Sequence, residues 1–168
     1  WEPVEGIRQW PKGEALIRLM KEEMGDSGLI GYQCGTTRLL RSEEDIIGYH
    51  ENPAIWQERA EIELYKAERR FSLLMCCNPK PDFIACGASG SLVFQSPRMF
   101  RQLALPILQR ITALAKKAGI PSHVHSCGPE AELVRIAAEE TDLTVIDPLE
   151  IPPMGDCSLR ELKKLYGD

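Results

Sequence analysis

The chain has 168 residues, 43% hydrophobic and 27% charged, with a formal net charge of −5, which suits one globular domain with a sizeable core. The acidic balance, with a sequence pI ≈ 5.3, leaves no basic patch to displace counterions and argues against nucleic acid as the main partner. No apolar run approaches the roughly 20 residues that cross a bilayer. Trp1-Glu-Pro-Val-Glu-Gly lacks the basic and apolar regions of an export signal, so no membrane association and a cytoplasmic location are the expectation.

Trp1 to Lys12, with Pro3 and Pro11, reads as an irregular connector. From Gly13 to Met24, Ala15, Leu16, Leu19, Met20 and Met24 fall at helical spacing, and Gly25 ends the run. Gly28 to Gly35 is a short apolar strand entering a turn. Ser42 caps the next helix with Asp45 three residues on, an acidic form of the capping box. Asn52-Pro53 opens a long helix reaching about Cys77, with Ile55, Trp56, Ala60, Ile62, Leu64 and Ala67 as its apolar positions. The charged residues of its 57–70 stretch read as a solvated face with no function attached.

Pro79-Lys-Pro81 breaks that helix, and Asp82 to Gly87 is the second strand, followed by the small-residue loop Ala88 to Ser91. Ser96-Pro97 starts a helix to Ala118, in which Pro106 predicts a kink. Gly119-Ile-Pro121 leads into a third strand, and a short helix follows Gly128, with Pro129 suited to its first turn. Asp142 to Asp147 is the fourth strand, Pro148 to Asp156 a proline-rich loop, and Ser158 to Tyr166 a last amphipathic helix.

Strand and helix thus alternate four times, and the strands, four to eight residues long, are apolar throughout. Short apolar strands in alternation with helices predict an α/β fold of parallel β/α units buried on both faces. An open doubly wound sheet and part of a (β/α)8 barrel both fit. Neither G-x-G-x-x-G nor a P-loop occurs, so a nucleotide-binding open sheet has no support. In either architecture the reactive face lies at the C-terminal strand ends. Gln33, Cys34, the Ala88–Ser91 loop, His125, Cys127, Asp147 and Glu150 fall there.

The six cysteines, Cys34, Cys76, Cys77, Cys86, Cys127 and Cys157, have irregular spacing and no C-x-x-C, which favours reduced thiols; the adjacent Cys76-Cys77 reads as packing. The densest chemistry is Pro121-Ser-His-Val-His-Ser-Cys-Gly-Pro129. On a strand, alternation sends His123, His125 and Cys127 to one face. A thiol just before a helix N-terminus is favoured as thiolate, so His125 and Cys127 are two soft donors suited to half of a zinc site. Buried or surface packing is the competing reading of both histidines and the thiol. His123, deeper along the strand, reads as packing with a spare ligand role. His50 reads as a surface residue. Asp147 and Glu150 can meet a substrate group or a histidine N–H, and Asp147-Pro148 equally begins a turn. Ser89 and its neighbours can present N–H groups to a phosphate or simply form a compact loop.

Several segments in order resemble the uroporphyrinogen decarboxylase superfamily: Gly28-Leu-Ile-Gly-Tyr-Gln-Cys-Gly35, Asp82-Phe-Ile-Ala-Cys-Gly87, Phe94-Gln-Ser-Pro-Arg-Met-Phe100, Leu105-Pro-Ile-Leu-Gln-Arg-Ile111, His125-Ser-Cys-Gly128, Ile146-Asp-Pro-Leu-Glu150 and Leu159-Arg-Glu-Leu-Lys-Lys-Leu-Tyr-Gly167. The resemblance spans nearly the whole chain and implies a (β/α)8 barrel with its site at the mouth. A whole barrel takes about 250 residues, so 1–168 is expected to be a single partial barrel of about four β/α units, an internal fragment. Its open strand edges predict a homo-oligomer or a covering partner.

The branch that the H-x-C pair resembles is the zinc-dependent methyltransferases that act with corrinoid proteins. There His125 and Cys127 match two zinc ligands, and a later cysteine supplies the third; Cys157 is the one later cysteine here and a poor substitute. The resemblance implies a substrate thiolate activated by zinc, a small-molecule substrate contacted by Gln33, Ser89, Asp147 and Glu150, and a corrinoid carried by a partner protein. Decarboxylation of an acidic porphyrinogen, without metal, is the alternative, although the Asp82–Gly87 strand ends without a carboxylate and His-Ser-Cys-Gly departs from the decarboxylase pattern. A non-catalytic half-barrel that binds or assembles is a third reading.

Overall fold

The computed structural model describes residues 12–167; the expected connector therefore lies, up to Pro11, outside the described residues. In chain order the elements are α1 (Glu14–Met24), β1 (Gly31–Gln33), α2 (Glu43–Glu51), α3 (Pro53–Met75), β2 (Phe83–Ala85), α4 (Pro97–Leu103), α5 (Leu105–Ala118), β3 (Ser122–His125), α6 (Ala131–Glu140), β4 (Val145–Asp147) and α7 (Leu159–Tyr166), with a 3-10 turn at Gly25–Ser27. The four strands form one parallel sheet in the order β1-β2-β3-β4. Helices intervene between successive strands, so the protein is α/β with parallel β/α units. No helix among the described residues is long and apolar enough to cross a membrane.

The local signals at the helix ends act as anticipated, with two adjustments. Ser42 Oγ accepts from Asp45 N–H at 3.3 Å, and Asp45 Oδ2 reaches back to Arg41 N–H at 2.8 Å, one residue ahead of the cap. The kink foreseen at Pro106 is a complete break: α4 ends at Leu103, Ala104 is the joint, and Pro106 falls in the first turn of α5, where it displaces no helical hydrogen bond. Ser96 Oγ accepts from Met99 N–H and starts α4. Pro129 does not open α6, which begins at Ala131 with Glu130 in the cap position. Cys127 therefore stands in the loop between β3 and α6.

The core forms where α3, α4 and α5 meet the sheet. Phe100, Leu103, Ile107, Leu108 and Ile111 are buried with Ala67, Phe71 and Leu74, and each such large side chain contributes about 1.5–3 kcal/mol relative to exposure. From the sheet, Ile84 and Val124 join this cluster and Tyr32 and Ile146 pack against it. Their alternates point the other way. The hydrogen-bonded strands are only three or four residues long, and they are not buried on both faces: Gln33, His125, Val145 and Asp147 are exposed. The expected two-sided burial is thus replaced by one covered face and one open face, because the non-helix positions carry polar or small residues as often as apolar ones.

Asp82 fixes the base of the sheet. Its Oδ2 accepts from Ile30 N–H at 2.8 Å, its Oδ1 from Lys21 Nζ at 2.6 Å, and its own N–H donates to Ile30 O at 2.8 Å. One side chain thereby ties α1 to the start of β1 and β2. At the other end, the ladder continues through Cys34 N–H to Ala85 O at 2.6 Å and Ser126 N–H to Asp147 O at 2.7 Å.

Candidate functional site

Parallel pairing brings His125 opposite Asp147 and His123 opposite Val145. On the open face, Asp147 Oδ1 lies 3.0 Å from His125 Nδ1 and 3.0 Å from His123 Nε2. An ionised carboxylate only accepts, so each imidazole nitrogen that meets it carries the proton. For His125 this leaves Nε2 as the free lone pair, and Cys127 Sγ stands 3.2 Å from it. His123 is steadied further by Phe83, ring edge to face with centroids 5.5 Å apart. The three residues placed on one face by alternation are indeed together, with Asp147 joining them from the next strand.

The turn that carries Cys127 is braced from several sides. Gly128 adopts φ 108, a region that favours glycine, and donates its N–H to Glu150 Oε2 at 2.6 Å. Glu150 is thereby a structural acceptor for the Cys-Gly turn. Cys157 N–H donates to Glu150 O at 3.0 Å, and a Cβ on Gly155 would stand 2.7 Å from Gly128 O, so the 148–157 loop lies tightly on this turn. Gln33 Nε2 donates to Gly35 O at 2.7 Å and Gly87 O at 3.0 Å, clamping the loops after β1 and β2. Ser89 is exposed on the second of these loops. The loop's Ala88 N–H goes to Thr37 Oγ1 at 2.8 Å and its Ser91 N–H to Ser126 Oγ at 3.0 Å, so two of the N–H groups that a phosphate cradle would use are taken.

Beneath the open face is a buried polar network that the sequence pattern did not disclose. Ser126 Oγ donates to Glu130 Oε1 at 2.8 Å, Thr37 Oγ1 and Ser91 Oγ are 2.6 Å apart, and Gln95 Nε2 donates to Thr37 O and Ser91 O at 2.8 and 2.7 Å. It binds the loops after β1, β2 and β3 into one platform. Glu130 is buried, which pushes its carboxyl above the usual carboxylate range against the pull of its Ser126 hydrogen bond. Glu130, Gln95 and Thr37 are all buried, polar as they are.

The thiols separate by environment. Burial pushes Cys34 up to about 11 and Cys86 up to about 12, so neither serves as a thiolate. All six cysteines are free. Cys76 is exposed just past α3, whereas Cys77 is half-buried and packs against the core, so the packing reading of the Cys76-Cys77 pair holds for Cys77 alone. His50 is exposed, as expected, with its ring against Tyr49.

The donors of His125 and Cys127 converge as a zinc half-site requires, one imidazole nitrogen and one sulfur, with the second imidazole nitrogen held by a carboxylate. No group of three or more His, Cys, Asp or Glu among the described residues is arranged to hold a metal ion. Cys157 is buried, raised first by that burial and then by the Asp156 charge, and does not complete a set. The fit is to two protein ligands. No family model, curated protein or solved structure matches the chain.

Proposed function

We propose that this chain is part of a (β/α)8 barrel of the uroporphyrinogen decarboxylase superfamily, on the zinc-dependent methyltransferase branch, and that it acts in methyl transfer to or from a thiol. The observation that carries the reading is the His125–Cys127 pair at the end of β3, with Asp147 holding the far side of His125. When bound there, zinc would keep a coordinated substrate thiol ionised near neutral pH and so make it nucleophilic. The chain's own contribution is to fix that pair. Asp147 orients the His125 ring and selects its tautomer; Glu150 and Gly128 set the direction of the Cys127 turn. The methyl donor in this reading is a methylated corrinoid on a partner protein or a methoxylated small molecule. Self-association that covers the outer edges of β1 and β4 belongs to the same proposal.

Elemental analysis of the purified protein tests it, on wild type, His125→Ala, Cys127→Ala and Asp147→Asn. About one zinc per chain, lost in both ligand variants, is expected. Asp147→Asn retains both ligands and is expected to weaken zinc binding by about tenfold or more in competition with a chelator. Metal-free wild type in folded protein, or zinc retained in both alanine variants, removes the metal assignment.

A further inference from the structure

Outside the His125–Cys127 region, several cations of this acidic chain line one groove. Two adjoining clefts, of about 340 and 380 Å³, share Thr36, Arg41, Glu63 and Lys66 in their walls. The first reaches the strand ends through Gln33, Gly87 and Ala88 and adds Arg70. The second adds Arg38 and Arg59. Against these cations the walls hold Asp45 and Glu63. Asp45 is engaged by the Arg41 backbone N–H at 2.8 Å, and Glu63 pairs with Lys66 at 2.7 Å. The guanidinium groups of Arg38, Arg41 and Arg70 have no carboxylate partner among the described residues.

Two features give this arrangement the character of a site rather than a solvated face. Arg38 Nε is buried and has no hydrogen-bond partner, and an unsatisfied donor of a charged group is costly. Its Nη1 would lie 3.7 Å from a Cβ on Gly90, so the guanidinium reaches the loop after β2. Lys66 and Arg70 are four apart on α3 and line the same cleft, a like-charge spacing that weakens a helix until an anion lies between the two. A net charge of −5 averages over this local cluster, which is built from the β1–α2 loop and α3.

We propose that this groove binds a phosphate-bearing small molecule at the C-terminal end of β1 and β2. Forked guanidinium groups match phosphate oxygens two at a time, and a phosphate dianion can accept from more of the available donors at once than a carboxylate can. Clefts of this size suit a small ligand. The site stands on its own observations and does not depend on the metal reading of His125 and Cys127.

Isothermal titration calorimetry at low salt, with pyrophosphate as the probe, tests the proposal on wild type, Arg41→Gln, Arg70→Gln and Lys117→Gln. Arg41, Arg70 and Lys117 are exposed, so these variants are expected to fold, and circular dichroism checks that they do. Saturable binding at one site per chain is expected, weakened about tenfold in each arginine variant, unchanged in Lys117→Gln and reduced by salt. No saturable binding, or an equal loss in Lys117→Gln, overturns the site. Citrate bound more tightly than pyrophosphate overturns the ligand class, and a single-stranded oligonucleotide bound more tightly than either overturns the small-molecule occupant.

Discussion

Gly87 is the residue whose substitution tests the geometry of the strand ends most directly. It lies just past β2, beside the end of β3, and its φ is not in the left-handed region, so alanine is conformationally permitted there. The obstacle is space. An added Cβ would stand 2.6 Å from His125 N, 2.8 Å from His125 O and 2.9 Å from Val124 Cγ1. Two of those atoms are backbone and cannot rotate away, so β2 and β3 must part by several tenths of an ångström. Overpacking of this kind costs about 1–3 kcal/mol. Weakening the neighbouring Cys86 N–H to His123 O bond, now 2.8 Å, adds about 1 kcal/mol. Gly87→Ala is therefore expected to destabilise the protein by about 2–4 kcal/mol, read as a lower urea midpoint at unchanged slope. Gly119→Ala is the internal control: that glycine has φ 68 but nothing within 4 Å of a new Cβ, so only backbone strain of about 1 kcal/mol is expected. If Gly87→Ala costs no more than Gly119→Ala, the close approach of β2 to His125 is not as described, and the placement of the candidate ligand pair loses its support.

Two carboxylates give pH signatures of opposite sign. Asp82 is held below the usual carboxylate range, first by its Lys21 hydrogen bond and then by the Ile30 N–H; its stabilisation is present above about pH 4, the unfolded value, and is lost as pH falls through the depressed folded value. Asp82→Asn should cost about 1–2 kcal/mol at pH 7, and the gap from wild type should close toward pH 3 in urea titrations; a gap independent of pH would refute the pairing. Glu130, raised by burial, stabilises the fold below the unfolded carboxylate value and progressively less as pH rises through the folded one. Its Oε2 is buried without a partner, so Glu130→Gln, which keeps an acceptor for Ser126, should gain about 1 kcal/mol at pH 8 and nothing at pH 4. A loss at pH 8 would mean that the carboxylate itself is required.

Local chemistry made much of the fold readable. The Ser42–Asp45 cap and the Pro53 start depend on neighbours within a turn or two, and they behave as short-range rules require. What failed needed tertiary knowledge. The α4–α5 break and the start of α6 beyond Pro129 depend on how each segment packs. Single-faced burial was missed because three-residue strands carry too little pattern to separate one covered face from two. The Glu130–Ser126–Ser91–Thr37 network was illegible for a different reason: its members are polar residues from three separate loops, and no spacing rule relates them.

The candidate site shows where that boundary falls. Alternation along β3 was enough to place His123 and His125 on one face, since period two is a property of a single strand. The choice of Asp147 between beginning a turn and holding a histidine was not, since it depends on register with another strand. The observed register sets His125 beside Asp147 and Val124 beside Ile146. A slip of one residue would turn Ile146 to the open face and aim Asp147 into the helix-packed core, where a lone carboxylate is strongly disfavoured. The same apolar alternates that bury Val124 and Ile146 therefore also hold the carboxylate against the imidazole. The core selects the register, and the register makes the site.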